Sequence, residues 1–204
     1  IRARSPSGGL GDVYKRQGHG RTIGGNPLQH VGADMDSHKT EKGAYFIRWM
    51  MEHDPPPTYQ KGGQFTGKVD RWQEFEYVGP SIVLQWSGAL AVGQDAQEDR
   101  EKDGFHLRLL HAATPETETT FHYFWSTANG YRQEDPATTQ EMYDEIYPTF
   151  IEDKVIMEAQ QERINLNPER DLVEIHADSV LALARLSLDE LVEQDNAQMA
   201  QAAE

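Results

Sequence analysis

Five stretches of the chain have the short apolar runs or the alternating apolar and polar positions that are typical of β-strands. The first covers residues 43–51 and is followed by three consecutive prolines at 55–57. Proline cannot lie inside a helix or a central strand, so the triplet predicts an extended connector. The other four runs lie at residues 69–78, 81–89, 105–113 and 119–127. Their connections are short or polar, as in the charged segment 94–104, and the series predicts a curved antiparallel sheet.

The spacing of apolar residues changes from strand-like to helical after residue 136. Between residues 137 and 163 one helical face carries Met142, Ile146, Phe150 and Met157. Pro148 lies inside this run and is predicted to kink it or to start a second helix. A last amphipathic helix is predicted over 178–194, and residues 196–204 are predicted to be a frayed tail. Strands followed by a long helix predict an α+β fold in which the helix lies on one face of the sheet.

Charge and composition exclude several classes of protein. The 204 residues include 19 Lys and Arg against 34 Asp and Glu, and the formal net charge is −15. This balance argues against a nucleic-acid binder, which would need a basic face. No run approaches the roughly 18–20 apolar residues of a membrane span. There is also no cysteine for a disulfide or an iron–sulfur cluster. We therefore expect a cytoplasmic domain that binds neither nucleic acid nor membrane.

Residues 1–17 differ in composition from the rest of the chain. They hold four basic residues and one acidic residue, and they start without Met. They lack the apolar segment of a signal peptide, and their last six residues, Asp-Val-Tyr-Lys-Arg-Gln, resemble a translated sequencing adaptor. We interpret them as a non-native tail rather than a disordered natural terminus. The natural sequence that preceded Gly18 is then expected to be missing.

Asp153 is the polar residue whose position is most informative about a possible functional site. Phe150 stands three positions before it and Met157 four positions after it, so its carboxylate lies in the apolar stripe of the predicted helix. Carboxylates are rarely buried without a partner, because desolvating the charge costs several kcal/mol. Periodicity alone favours a salt bridge to a sheet arginine such as Arg71 or Arg108, and leaves a metal ion as the alternative.

Two histidines are candidates for a binding site. His111 shares the strand parity of Leu107 and Leu109, whereas His106 has the opposite parity, so His111 is expected to face the interior. An inward histidine at a strand end is either a hydrogen-bonded core residue or part of a pocket wall. His19 lies between two glycines, where the backbone is free to bend, but alone it is more often a surface residue than a ligand.

Six motifs occur in an order that resembles one protein family. They are Thr22–Gly25, Pro55–Tyr59, Val69–Gln73, Thr114–Glu118, His122–Trp125, and Glu152–Lys154 followed by Glu158–Gln161. Together they resemble the C-terminal catalytic domain of Rieske non-haem iron oxygenase large subunits, in the branch of vanillate O-demethylase. The resemblance covers residues 18 to about 194, so residues 18–195 are expected to be a partial mononuclear-iron catalytic domain.

The resemblance implies a fold and an iron site. The fold is a helix-grip (START/Bet v1-like) fold, in which a curved antiparallel sheet packs on a long C-terminal helix. The family's mononuclear Fe(II) is held by two histidines and a carboxylate, which leaves positions open for O₂. By this register Asp153 is the carboxylate ligand, and His19 is the second histidine of an Asn-x-x-Asp-x-x-His-x-x-x-x-His run. The first histidine, and the acidic residue that relays electrons, would precede Gly18.

The resemblance also implies how a substrate is held. His111 matches a histidine that hydrogen-bonds the carboxylate of an aromatic acid in some relatives, and Gln85 matches a neighbouring amide. Trp86 and Phe124 are either walls of this pocket or ordinary core residues.

The implied function is that of the oxygenase component of a Rieske-type aromatic monooxygenase or O-demethylase. With O₂ and Fe(II) it would hydroxylate or demethylate an aromatic acid or ether. The resemblance implies a Rieske [2Fe–2S] cluster in a missing N-terminal domain, a reductase or ferredoxin as electron donor, and a homotrimer. This chain alone is then expected to be inactive. The alternative is a non-enzymatic helix-grip module that binds an apolar or aromatic small molecule, because a fold does not decide function. A hydrolase has no support, since there is no Gly-x-Ser-x-Gly elbow.

Overall fold

A 3₁₀ turn, six strands and three helices make up the described part of the chain. In this computed structural model the described residues are Gly24, 26–30, 32–169 and 178–202. After the 3₁₀ turn at Pro27–His30 the elements are β1 (Asp34–Lys39), β2 (Gly43–His53), α1 (Pro57–Gly63), β3 (Val69–Val78), β4 (Ile82–Ala91), β5 (Phe105–Pro115), β6 (Phe121–Asn129), α2 (Ala137–Leu166) and α3 (Ser179–Ala202).

The strands form one sheet in the order β1-β2-β3-β4-β5-β6, and each strand pairs antiparallel with the next one in sequence. The predicted antiparallel sheet and the α+β class are confirmed. The sequence pattern did not reveal β1, because Met35 is its one apolar residue. Among the strands described, β1 pairs only with β2 and so lies at the edge of the sheet. A polar sequence is favoured in an edge strand.

Helix α1 begins at Pro57, so the prediction that the triple proline excludes a helix is wrong for its last residue. Pro56 keeps an extended backbone, with φ −58° and ψ 158°. Proline is well suited to the first position of a helix, where the missing N–H would have no intrahelical partner. The helix buries Thr58 and Tyr59.

Alternation along the strands divides the sheet into an inner face and an outer face. The inner face carries residues such as Val69, Ala89 and Leu107, and it packs against Met142 and Ile146 of α2. The remaining members of this buried cluster are Tyr59, Phe65, Phe105, Leu109 and Tyr131. Helix α2 therefore lies on one face of the sheet, as the sequence predicted.

The outer face is organised around tryptophans. Trp72 and Trp86 pack edge to face with their ring centroids 5.4 Å apart, and the ring of His106 lies within 6.0 Å of both. The charged segment after β4 returns over this cluster, and its Ala96 is fully buried. The predicted surface loop thus contributes to the core through one small residue.

The two long helices differ from their predicted limits. Pro148 lies inside α2 without ending it. Helix α3 continues to Ala202. The prediction that the chain is frayed from residue 196 onwards is therefore wrong for residues 196–202. Helix α3 lies against the β1–β2 end of the sheet, where Ser187 Oγ donates a hydrogen bond to the carbonyl oxygen of Gly43 at 3.1 Å. None of the helices in the described ranges has the length and apolarity that a membrane crossing needs.

Gly88 shows how tightly the outer face is packed, and it gives a stability prediction. It pairs with Trp72, and a Cβ atom at this position would lie 2.0 Å from Cζ2 of the Trp72 ring. We expect Gly88→Ala to lower the free energy of unfolding by about 1–3 kcal/mol, because the indole ring is fully buried and must move. The thermal midpoint should fall by several degrees in a melting experiment.

Gly67→Ala is the matched control. A Cβ at this exposed position meets no atom within 4 Å, so the midpoint should stay near that of the unchanged chain. Equal midpoints for the two variants would contradict the packing described for Gly88.

Candidate functional site

His111 and Gln85 meet on the inner face of the sheet. Strands β4 and β5 pair with Gln85 opposite Leu109, which places His111 diagonally across from Gln85 on the same face. His111 Nε2 and Gln85 Oε1 are 3.0 Å apart. The structure confirms that His111 shares the face of Leu107 and Leu109, and it brings together the two residues that the sequence predicted to bind substrate.

A serine orients the amide of Gln85. Gln85 Nε2 donates a hydrogen bond to Ser87 Oγ at 2.6 Å, and both side chains are buried. Because the amide nitrogen points to Ser87, the amide oxygen is turned towards His111. Ser87 was not predicted as a site residue, although its spacing of two from Gln85 in a strand puts the two residues on one face.

Tyr123 is the third partner in this cluster. Its hydroxyl lies 2.5 Å from Nδ1 of His111, and the ring of Phe150 packs edge to face against both residues at 5.7 and 5.8 Å. Burial of the hydroxyl raises the pKa of Tyr123, and the negative charge of Asp153 raises it further. Tyr123 therefore stays protonated and able to donate. The parity it shares with Trp125 in β6 was the sequence signal that could have identified it.

Asp153 lies one turn after Phe150 on α2, close enough to Tyr123 for its charge to act on the hydroxyl. Its side chain is half-buried, whereas the neighbouring Glu152 is exposed. The carboxylate is thus at the edge of the inner-face cluster rather than deep in the core.

The two arginines considered as partners of Asp153 make other contacts. Arg108 lies on the outer face, with its guanidinium 3.5 Å from the centroid of the Trp86 ring. Arg71 is fully buried, donates a hydrogen bond to Gln29 Oε1 at 2.9 Å, and lies 4.4 Å from the centroid of the Tyr59 ring. Burial away from water lowers the pKa of Arg71.

Arg71 and His30 hold the segment that leads into β1. Gln29, bonded to Arg71, itself donates to the carbonyl oxygen of Asp54 at 3.0 Å. The buried ring of His30 is bonded through Nε2 to the carbonyl oxygen of Gly24 at 3.2 Å. The sequence attached no chemistry to His30, and the structure gives it an anchoring contact.

The predicted metal ligands are placed only in part. His19 lies outside the described residues, so its pairing with Asp153 stays a prediction. Across the described ranges, no three His, Cys, Asp or Glu side chains converge in a way that would hold a metal ion by themselves. Of the expected ligands, Asp153 lies among the described residues, and its role as a ligand stays a prediction.

Trp86 and Phe124 do not line this cluster, so the role of pocket wall suggested for them is wrong, and only Trp86 is the core residue that was the alternative. Both have the strand parity of the outer face, opposite to Gln85 and Tyr123 respectively. Phe124 is 60% exposed. A groove of about 330 Å³ opens on the outer face beside Glu74, Leu84, Trp86, Arg108 and Leu110, on the side of the sheet away from His111 and Asp153.

Comparison with protein families assigns residues 19–194 to the model of the vanillate O-demethylase oxygenase C-terminal domain. The chain belongs to this family. The resemblance found in the motifs is therefore confirmed over the same residues. The matched range contains all six motifs quoted above, from the Thr22 segment to the Glu152 segment.

A curated relative of the chain is the toluene-4-sulfonate monooxygenase system iron-sulfur subunit TsaM1 of Comamonas testosteroni. It is 30% identical over 180 residues, which are 87% of this chain and 52% of the relative. The chain thus spans about half the length of the curated relatives that it matches most extensively.

Two solved structures share the fold. Dicamba monooxygenase bound to 3,6-dichlorosalicylic acid superimposes with a TM-score of 0.69 at 18% identity, over 95% of this chain and 56% of that one. Dicamba monooxygenase with non-haem iron and dicamba gives a TM-score of 0.63 at 18% identity, over 92% and 55%. The predicted fold class is confirmed by this likeness.

Proposed function

We propose that residues 18–195 are the mononuclear-iron catalytic domain of an oxygenase component that acts on aromatic acids or aromatic ethers. Two findings support this. The chain belongs to the oxygenase C-terminal domain family, and it covers about half of its relatives' length. The observation that carries the proposal is the His111–Gln85 pair on the inner face, which is bonded to Tyr123, the residue whose hydroxyl is close enough to Asp153 to be affected by its charge.

The residues present fit an iron site in part. A half-buried carboxylate is a suitable anionic ligand, and Asp153 is one, a turn after Phe150 on α2. His19 would supply an imidazole, and the resemblance places the third ligand ahead of Gly18. When bound, Fe(II) in such a set would supply a centre with open positions for O₂.

The side chains of this domain would hold and orient the substrate. His111 offers an N–H to a carboxylate, with Gln85 beside it as a second polar group. The aromatic rings of Tyr123, Trp125 and Phe150 pack on one another around this pair, with Phe150 and Trp125 centroids 4.7 Å apart. Such rings exclude water and present flat surfaces to an aromatic ligand.

The proposal includes the remaining components. A Rieske [2Fe–2S] cluster needs two cysteines, and this chain has none, so the cluster would be ligated by another domain. A reductase or ferredoxin would supply electrons, and the complete protein is proposed to be a cytoplasmic homotrimer. Which aromatic substrate it takes, and whether it demethylates or hydroxylates it, depends on the shape of the pocket.

The source DNA on the 5′ side of the codon for Gly18 provides the test. We expect it to encode an Asn-x-x-Asp-x-x-His-x-x-x-x-His run that ends at His19, and further upstream the Cys and His ligands of a Rieske cluster. The complete subunit, expressed with a reductase, should consume O₂ when an aromatic acid or ether is added. Upstream DNA without these ligands would overturn the proposal and favour a non-enzymatic helix-grip binding module.

A further inference from the structure

We propose that Tyr123 is a positioning residue for His111. It holds His111 as the tautomer that has its proton on Nε2. The site therefore selects ligands that present a hydrogen-bond acceptor to this nitrogen. The inference rests on the proposed function, because it concerns the His111–Gln85 pair as a binding site. It adds a residue that acts through His111 rather than by touching the ligand.

The direction of each hydrogen bond in the cluster follows from its neighbour. Gln85 Nε2 donates to Ser87 Oγ, so Gln85 Oε1 faces His111. An amide oxygen can only accept, and His111 Nε2 must therefore carry the proton. In a neutral imidazole Nδ1 is then an acceptor, and the Tyr123 hydroxyl 2.5 Å away donates to it.

Packing holds the Tyr123 hydroxyl where this bond requires it. Tyr123 lies in β6 opposite Ala113 of β5, two residues beyond His111, so a small side chain leaves room for the tyrosine to lean over the histidine. The two rings are stacked with centroids 6.1 Å apart, and Phe150 closes the other side of both. Tyr123 as a whole is 43% exposed, but its hydroxyl is directed at the histidine.

This arrangement decides which ligand groups the site accepts. A carboxylate oxygen can replace Gln85 Oε1 as the acceptor for the Nε2–H of His111 while Tyr123 keeps its bond to Nδ1. A donor group at the same place would need an unprotonated Nε2, which moves the proton to Nδ1 and removes the acceptor of the Tyr123 hydroxyl. Tyr123 thus favours head groups that accept a hydrogen bond, such as a carboxylate, by opposing the other tautomer.

Long-range ¹H–¹⁵N spectra of the full 204-residue chain test the tautomer directly. We expect His111 to show a protonated Nε2 and an Nδ1 shifted by an accepted hydrogen bond. In Tyr123→Phe the Nδ1 resonance should move towards that of an unbonded acceptor nitrogen. Tyr147→Phe is the matched control, since Tyr147 has a similar exposure of 44% and stacks on Tyr143 on the helix surface. A wild-type spectrum with the proton on Nδ1 would overturn the proposal.

Benzoate binding tests whether Tyr123 acts through His111. Tyr123→Phe should raise the Kd for benzoate about three- to tenfold, the effect of one lost hydrogen bond. In a His111→Ala background the same change should alter Kd less than twofold, because nothing remains to be positioned. An undiminished effect of Tyr123→Phe in that background would show that Tyr123 acts by itself, against the proposal.

The two readouts also separate this inference from the proposed function. If the wild-type chain shows the Nε2-protonated tautomer but does not bind benzoate, the proposed function has failed for this ligand class, and the selection of an acceptor fails with it. If benzoate binds and Tyr123→Phe changes neither the Nδ1 resonance nor Kd, the function stands and the role of Tyr123 is refuted.

Discussion

Asp153→Asn is expected to empty the mononuclear iron site of the complete oxygenase subunit and to leave its Rieske absorbance in place. The amide keeps the size of the side chain and its place on α2 but removes the anionic ligand. Because Asp153 is half-buried and its Tyr123 neighbour is a neutral phenol, the fold should tolerate the change. The measurements are iron per folded subunit, which should fall at least about tenfold, and the thermal midpoint, which should barely move.

Glu152→Gln is the matched control for this experiment. Glu152 precedes Asp153 on the same helix but is exposed, so its substitution should leave the iron content unchanged. The alternative role of Asp153, a buried ion pair, has a different signature, because breaking such a pair costs about 3–5 kcal/mol of stability and leaves iron bound. Full iron occupancy in a destabilised Asp153→Asn variant would exclude Asp153 as a ligand.

His111→Ala is expected to weaken the binding of an aromatic acid about tenfold to a hundredfold while the iron content of the complete subunit stays constant. A hydrogen bond from the imidazole N–H to a carboxylate is charge-assisted and contributes about 1.5–3 kcal/mol. Gln85 would remain, so part of the affinity should persist. Equilibrium titration with benzoate measures the loss, and metal analysis of the same samples measures iron.

His122→Ala provides the corresponding control. His122 is an exposed histidine of β6 with outer-face parity, 3.6 Å from a carboxylate oxygen of Glu116. Its removal should leave benzoate binding unchanged. An equal loss of iron and of benzoate affinity in His111→Ala would instead mark His111 as a residue that supports the whole site.

The strands that the sequence predicted most accurately are those with regular alternation. Strand β3 begins and ends at the predicted residues, and the ends of β4, β5 and β6 lie within two residues of the predicted ones. Helix α2 was predicted because apolar residues recur along one side for several turns, and Met142 and Ile146 are buried as expected. Strand β1 has only a weak pattern of apolar residues. Its strand conformation follows from its pairing with β2, which the sequence does not show.

The sequence predicted those features of the candidate site that depend on strand parity and on helical spacing, because both are local properties of the chain. They place His111 on the inner face and Asp153 on the inward side of α2, and they separate His106 from His111. They do not show which strands come together, because that depends on register across the sheet. Trp86 and Phe124 were offered as pocket walls or core without a choice of face, and the register puts them on the outer face.

By itself the sequence determined the α+β class and the antiparallel series of strands. Its six ordered motifs also identified the family, and with it His111, Gln85 and Asp153 as candidate site residues. These depend on periodicity and on short-range residue order, which any single chain carries. Only the tertiary structure decided that Ser87, Gln85, His111 and Tyr123 form one hydrogen-bonded chain. The structure also showed that Arg71 and Arg108, which the sequence suggested as partners of Asp153, make contacts with other residues. Those relations join residues up to 42 positions apart, as in the bond between Arg71 and Gln29. They arise from the packing of whole elements, in which each buried polar group must find its partner across the fold.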